Sequence, residues 1–370
     1  MLKQPIFIDQ LSKLMSFKTL TGDIETNAKA LDYIQSLLSP QAKVKRIKNG
    51  QAEILLAANS GKLNPDIGYM VHVDVVAGSD ELFTMKQKDN LIYGRGVSDM
   101  KFSIPLGIAL LNELIEKQSQ LSFSLAITTD EEVGGFEGGA FLARELKWRP
   151  QALIVPDGGD NLKFVRASKG VAQFKITMLG VSAHASRPWQ GENAIPKMAR
   201  IINLIEQKYG KNNSEESWKT TANFGTLSGG ISTNQVCDQV TLQIDFRYPE
   251  TDSFERISQE LNSIVASVDQ NNRIETLSTG LPTATDTTLP IVQRFLTAFQ
   301  NQYGESMAIE PNYGASDARH FAPFNIPILM IKPNGGDIHM ESEWLDVDST
   351  MDFYEALRTF LKNSEKEQYE

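Results

Sequence analysis

The sequence has a single cysteine, Cys237, among 370 residues, so no disulfide can form within the chain. One cysteine fits a reducing compartment, and its plainest interpretation is a small buried apolar residue. No stretch of about 18 apolar residues occurs, which argues against a membrane-spanning helix. The first residues, MLKQPIFIDQLSKLMSF, lack the apolar core and cleavage site of a secretory signal peptide. We therefore expect a cytoplasmic protein that does not engage membranes.

Positive charge is also scarce. The chain has 36 Lys and Arg against 46 Asp and Glu, a net charge of −10, and no long basic run. A nucleic acid is therefore not expected as a partner. The composition, 41% hydrophobic and 22% charged, is that of a globular protein, and the length suggests two domains or one with an insertion.

Segments typical of strands alternate with segments typical of helices over the first 169 residues. This order predicts an α/β domain. Between residues 170 and 282 the order becomes β-α-β-β-α-β, the ferredoxin-like arrangement, and the α/β pattern then resumes. We predict a catalytic domain built from residues 1–169 and 283–370, with a smaller α+β domain inserted at 170–282.

Acidic residues and histidines recur where the predicted strands end: His72, Asp74, Asp99, Glu131, Glu132, Asp157 and His339. In open α/β sheets, ligands gather outside the carboxyl ends of the strands. So many carboxylates would repel one another unless cations neutralise them, and mixed histidine and carboxylate ligands suit zinc or a similar divalent ion. Two histidines and three carboxylates, one of them shared, could hold two ions about 3.5–4 Å apart.

Each of these residues alone has an ordinary interpretation. His72 on an apolar strand could be a core residue with a local partner. Glu131 and Glu132 could form a solvated turn, and Asp99 after a glycine could be a loop residue. Their order and flanking sequences together favour the metal site.

Those flanking sequences resemble a known family. The motifs H-x-D-V-V, G-R-G-x-x-D-M-K and D-E-E-x-G-G, then a strand-end acid, A-H and a late histidine, are similar to those of the dinuclear zinc peptidases and deacylases. That family includes carboxypeptidase G, acetylornithine deacetylase, succinyl-diaminopimelate desuccinylase, aminoacylase and dipeptidases. The resemblance implies a zinc-peptidase-type catalytic domain with a mixed sheet flanked by helices. It also implies that the inserted ferredoxin-like domain is a lid and dimerisation domain.

The resemblance also implies a ligand set. His72 and Asp157 would bind one ion, Glu132 and His339 the other, and Asp99 would bridge them. The expected cofactor is two divalent ions, zinc in the first place, with cobalt or manganese as alternatives.

Further roles follow from the same resemblance. The Asp99–Met100 peptide bond would be cis, and Asp74 would orient His72. Glu131 would be the general base that takes a proton from a water between the ions and then protonates the leaving amine.

The inserted domain is expected to contribute His184, which in dimeric members reaches the site of the opposite subunit and stabilises the oxyanion. Asn234 and Arg247 resemble lid residues that contact substrate, and Arg319 and Lys169 are further candidates. Each of these could instead be an ordinary surface residue. The fourth histidine, His320, is expected to be structural.

Three functions stay open at this point. The first is a metallopeptidase of dipeptidase or carboxypeptidase type, because Asp157 resembles the peptidases whereas deacylases more often have glutamate there. The alternative is an N-acyl amino acid deacylase of the desuccinylase or acetylornithine deacetylase type. The third is a binding protein without catalysis. The expected partners are a small peptide or N-acyl amino acid and a second copy of the chain in a homodimer.

Overall fold

A computed structural model describes residues 1–159, 161–214, 217–304 and 306–369. The chain forms two compact units. The larger unit consists of Met1–Arg166, Ala284–Asn312 and Ser316–Glu370, and the inserted unit of Ala167–Thr283 and Tyr313–Ala315. The main inserted segment begins three residues before the predicted boundary at 170 and ends one residue after the predicted boundary at 282.

The helices and strands follow one another along the whole chain. The helices are α1 (Gln4–Ser16), α2 (Ile24–Ser36), α3 (Ser103–Glu116), α4 (Gly139–Arg144), α5 (Ala194–Tyr209), α6 (Phe254–Val268), α7 (Pro290–Tyr303) and α8 (Val347–Tyr369). The strands are β1 (Lys43–Asn49), β2 (Ala52–Ala58), β3 (Ile67–His72), β4 (Lys86–Lys88), β5 (Leu91–Tyr93), β6 (Phe123–Thr128), β7 (Ala152–Ile154), β8 (Phe164–Ser168), β9 (Gly170–Leu179), β10 (Thr221–Gly229), β11 (Gln239–Tyr248), β12 (Asn272–Gly280), β13 (Thr283–Ala284), β14 (Ile309–Asn312), β15 (Ile328–Leu329), β16 (Gly335–Gly336) and β17 (Trp344–Asp346).

The main sheet of the larger unit is mixed, with the strand order β1-β2-β6-β3-β7-β15. The strands β6, β3, β7 and β15 are parallel, whereas β1 and β2 run antiparallel to their neighbours. Strands β3 and β6 are buried along their whole length, as expected for strands covered on both faces. The α/β class predicted from the sequence is confirmed.

Alternate side chains of β3 enter two different cores. Tyr69 and Val71 pack in a core shared with α1, α2, α3, α7 and α8. Met70 packs in a second core with Leu142 of α4 and Trp148. Since successive strand residues point to opposite faces, the strand is held from both sides, and so is the position where it ends.

The inserted unit has the predicted β-α-β-β-α-β order. Its antiparallel sheet has the strand order β10-β11-β9-β12. Val240, Leu242, Ile244 and Phe246 alternate along β11 and are buried, and they share a core with apolar residues of α5 and α6. This is the ferredoxin-like fold that the sequence predicts.

A small sheet of the larger unit, with the order β16-β17-β5-β4, brings two distant loops together. Strand β17 pairs with β5. The loop that follows β5 and the loop that precedes β17 therefore lie side by side. Among the residues that the structure describes, no helix has the length and apolar character needed to cross a bilayer.

Candidate active site

The candidate site lies where three neighbouring parallel strands of the larger unit end. His72 is the last residue of β3. Glu131 and Glu132 form part of a short 3-10 helix that follows β6, and Asp157 lies three residues after the end of β7. Because β6, β3 and β7 are adjacent and parallel, these loops leave the same edge of the sheet.

Two groups of side chains at this edge could hold a metal ion. The first is His72, Asp99 and Asp157, and the second is Asp99, Glu132 and His339. Within each group the ligand atoms lie within 4.8 Å of one another, and Asp99 belongs to both. We call them the buried group and the open group, because the His72 side chain is 2% exposed and that of His339 is 50% exposed.

The distances show how closely these groups converge. Nε2 of His72 is 3.2 Å from Oδ1 of Asp99, and Nε2 of His339 is 3.2 Å from Oδ2 of the same residue. His339 Nε2 also lies 3.1 Å from Oε2 of Glu132. The Asp99–Met100 peptide bond is cis, as the resemblance implies.

The donor atoms of these groups fit a divalent cation. Nε2 of His72, Oδ1 of Asp99 and Oε1 of Glu132 are buried, and none of them hydrogen-bonds to another described residue. Buried polar atoms are normally paired, so unpaired atoms on residues of both groups suit bound cations. The mixture of imidazole and carboxylate is the ligand chemistry of zinc and similar ions.

The protonation equilibria reflect the crowding of negative charge. Burial, and then the charge of Asp99, raise the pKa of the Asp157 carboxyl to about 8. Interactions with Asp99 and Glu132 raise the pKa of His339 to about 10. Burial would raise the pKa of Asp99, but the imidazoles of His339 and His72 hold it well below its usual range. The site therefore attracts positive charge, whether as protons or as metal ions.

Asp74 lies directly behind the buried group. The Nδ1 atom of His72 is 3.0 Å from the backbone carbonyl of Asp74 and 3.5 Å from its carboxylate. The carboxylate accepts hydrogen bonds from the amides of Glu131 and Glu132, at 3.3 and 3.2 Å, and from the hydroxyl of Thr21 at 2.7 Å. Asp74 thus holds the loop of both glutamates, while its main chain fixes the ring of His72.

Glu131 belongs to neither ligand group. Its Oε2 is 4.0 Å from Nε2 of His72, and its side chain is 13% exposed. Burial, and then the charge of Asp157, raise the pKa of its carboxyl well above the ordinary value. A carboxylate that favours its protonated form is suited to accept a proton.

The structure separates the candidates of the inserted unit into two pairs. The amide of Ala185 donates to the carbonyl of Asn234, so His184 and Asn234 lie on neighbouring segments. Arg247 and Lys169 lie at the other end of β9, where Arg247 pairs with Val171. The ten residues of β9 span about 30 Å at about 3.4 Å per residue, so the two pairs lie toward opposite ends of this sheet.

The second pair already has partners inside this unit. Arg247 donates from Nε and Nη2 to the carboxylate of Asp245, at 2.9 and 3.1 Å. Lys169 is buried, donates to the carbonyl of Lys219 at 2.6 Å and lies against the rings of Trp218 and Tyr313. These contacts favour the ordinary structural interpretation of both side chains.

His320 and Arg319 both bind the loop that follows the two glutamates. Nη2 of Arg319 donates to the carbonyl of Gly134 at 2.5 Å, and Nε2 of His320 lies 2.9 Å from the same oxygen. His320 is buried and its ring packs edge-on against Phe136. This agrees with the structural role expected for His320.

Sequence reasoning missed two residues that contact the ligand loops. Arg95 lies inside the G-R-G motif but was not singled out, and Glu343 follows His339 by four residues. They form a buried ion pair, with Nη1 of Arg95 2.9 Å from Oε2 of Glu343. The available signals were the position of Arg95 between two glycines and the position of Glu343 four residues after His339.

Comparison with known proteins agrees with this geometry. Residues 166–273 match the M20 peptidase dimerisation domain. The succinyl-diaminopimelate desuccinylase of Ehrlichia canis is 26% identical over 381 residues, which cover 97% of each chain. The acetylornithine deacetylase of Edwardsiella ictaluri is 29% identical over 262 residues, 66% of this chain and 67% of the relative.

The chain thus resembles M20 peptidases and deacylases over almost its whole length. A solved tripeptidase of Staphylococcus aureus has the same fold, with a TM-score of 0.82 at 21% identity over 99% of this chain and 100% of that one. The resemblance inferred from the sequence is thereby confirmed, and the protein is an enzyme, a metal-dependent hydrolase. This similarity implies divalent metal ions, which the two groups of side chains could hold.

Proposed function

We propose that this M20 hydrolase removes the acyl group from N-acyl amino acids. The observation that carries the proposal is Glu131 beside two ligand groups that share Asp99, a constellation suited to amide hydrolysis. Desuccinylases that match over almost the whole length favour an acylated amino acid as the substrate class. In this respect they support the alternative predicted from the sequence over its first hypothesis.

We assign the ligands as the sequence predicted. His72 and Asp157 would hold one ion, Glu132 and His339 the other, and Asp99 would contact both. Zinc is the proposed metal, with cobalt or manganese as alternatives. Ions bound there would polarise the scissile carbonyl and lower the pKa of the attacking water.

Glu131 would then move the proton. Its carboxylate accepts a proton from the water as the water oxygen attacks the carbonyl carbon. The same proton passes to the amide nitrogen as the carbon–nitrogen bond breaks, which yields a carboxylic acid and a free amine. The elevated pKa of Glu131 favours the first of these transfers.

His184 would donate to the developing oxyanion. The amide of Ser186 donates to Nδ1 of His184 at 3.1 Å. Nδ1 is therefore an acceptor, and the proton of the neutral ring belongs on Nε2, where it can be donated. We propose that His184 acts across a homodimer formed through the matched dimerisation domain.

A second candidate function is hydrolysis of short peptides. It rests on Asp157, where the resemblance favours a peptidase over a deacylase. The shared fold of the tripeptidase is compatible with either function, because both break an amide by the same chemistry.

One competition assay separates these functions. The purified protein, loaded with zinc, is incubated with a pool of N-succinyl and N-acetyl amino acids, dipeptides and tripeptides, and products are measured by mass spectrometry. Chelator-sensitive loss of the acylated amino acids supports the main proposal, and loss of peptides alone replaces it with the second. The E131Q variant in the same pool controls for contaminating hydrolases.

A further inference from the structure

The carboxylate of Glu343 is enclosed by the loop that carries Asp99. Oε1 accepts from the amides of Ser98 and Asp99, at 2.9 and 3.1 Å. Oε2 accepts from the amide of Gly96 at 3.0 Å and from Nη1 of Arg95 at 2.9 Å. Glu343 is fully buried, so these four donors compensate the cost of placing its charge inside the protein.

The guanidinium of Arg95 reaches in the opposite direction, to the loop that carries His339. Nη2 donates to the carbonyl of His339 at 3.2 Å, and Nη1 donates to the carbonyl of Met340 at 3.3 Å. Arg95 is itself buried. One ion pair therefore joins the loop of the shared ligand to the loop of the most exposed ligand.

His339 needs such a restraint more than the other ligands do. Its backbone lies in the left-handed region, with φ of 65°, which is unfavourable for a residue other than glycine. Its side chain is half exposed, so packing alone does not fix it. Hydrogen bonds to its own carbonyl and to the next one hold the backbone in the conformation that points the ring toward Asp99.

We propose that Arg95 and Glu343 are positioning residues for the two ligand groups. Glu343 sets the backbone of Asp99 and so acts on both groups, whereas the hydrogen bonds that Arg95 donates to the 339–340 segment act on the open group. The inference rests on the proposed ligand set. Partners of this kind change metal affinity by roughly 10–100-fold when they are removed.

Metal titration of the full-length protein tests the inference without any substrate. The metal-free wild type is titrated with Co²⁺, followed by visible absorption and by equilibrium dialysis with metal analysis. In E343Q an amide NH₂ replaces one carboxylate oxygen and faces two of the N–H groups that donated to that oxygen. Because these hydrogen bonds are lost, we expect both metal equivalents to bind at least 10-fold more weakly. In R95K the positive charge remains, but the guanidinium hydrogen bonds to the segment of His339 are lost. We therefore expect the affinity for one metal equivalent to fall and the affinity for the other to stay unchanged.

Four variants make the result decisive. E341Q, an exposed change two residues from Glu343, should titrate as the wild type does. A folded E343Q that binds both equivalents at wild-type affinity would overturn the proposal. If E343Q does not fold, R95K decides it, because an unchanged titration there also overturns it. The H339A variant distinguishes failure of this inference from failure of the proposed ligand set. If H339A still binds two metal equivalents tightly, the ligand set is wrong.

Discussion

The two candidate ligand groups share Asp99 but are built in different ways. In the buried group, His72 ends a central strand whose side chains pack in cores on both faces of the sheet. In the open group, His339 lies on a loop between two short strands and is half exposed. The first is positioned by the hydrophobic core, whereas the second depends on polar contacts with a neighbouring loop.

The main cause of the raised pKa also differs between Asp157 of the buried group and His339 of the open group. In the buried group the dominant influence is loss of solvent, which raises the pKa of Asp157 to about 8. In the open group it is pairing with carboxylates, which raises the pKa of His339 to about 10. Charge pairing near solvent is screened by salt, and burial is not. We therefore expect the two metal sites to have different affinities and different responses to mutation.

The largest effect is expected at a residue that belongs to neither group. E131Q keeps the size of the side chain but removes its basicity, so kcat should fall by about 10²–10⁴-fold. Steady-state kinetics measures this loss, and metal analysis should still find two equivalents. If E131Q lost metal as well as activity, Glu131 would be a metal ligand, and the two ligand groups as defined would be wrong.

Replacing one histidine in each group tests the comparison itself. H339A should lose one metal equivalent and lower the melting temperature of the metal-free protein by an amount that shrinks as salt is added, because it removes ion pairs near solvent. H72A should lose the other equivalent and lower that melting temperature by an amount that depends less on salt, because it leaves a cavity in a packed region. Metal analysis and thermal unfolding at low and high salt measure both effects, and the same salt dependence in the two variants would contradict the difference between the groups.

A smaller effect is expected at Asp74. Its carboxylate accepts hydrogen bonds from the amides of the proposed base Glu131 and of the proposed ligand Glu132. D74N cannot accept hydrogen bonds from Glu131, Glu132 and Thr21 in the same way, so we expect activity and metal affinity to fall by roughly 10–100-fold. T21V removes one of these three donors and serves as a graded control. A D74N enzyme with wild-type kcat would show that the loop needs no such support.

The smallest effect concerns His320, which holds the same loop from the other side. Burial lowers its pKa from 6.5 to about 4, so the folded protein keeps the ring neutral. A depressed folded pKa means that the unfolded chain binds the proton first, and stability falls as the pH drops from about 6.5 to about 4. H320Q removes this titration, so the difference in melting temperature between the two proteins should change across that pH range. A constant difference would contradict the buried neutral imidazole.

The convergence of the two groups at one edge of the sheet could be predicted because their residues stand in short motifs at strand ends. His72 ends one buried apolar strand and Asp157 follows another, and the packing of these strands in the core determines where both residues lie. The contact of Arg95 with Glu343 could not be predicted in this way, since the two are 248 positions apart and only the pairing of β5 with β17 brings their loops together.

The substrate candidates show the same limit within the inserted unit. The alternation of apolar residues predicts that β9 is a strand, but it carries no information on which loop residues meet. The fold places His184 beside Asn234, and it places Lys169 and Arg247 at the opposite end of the sheet. The sequence motif around Arg247 therefore gave no sign that its guanidinium pairs with Asp245.

A crystal structure of the zinc-loaded protein with anomalous data is the most direct test of the proposed metal site. We expect two ions, one held by His72 and Asp157, the other by Glu132 and His339, with Asp99 in contact with both. A single ion, or two ions without a common contact to Asp99, would contradict this expectation.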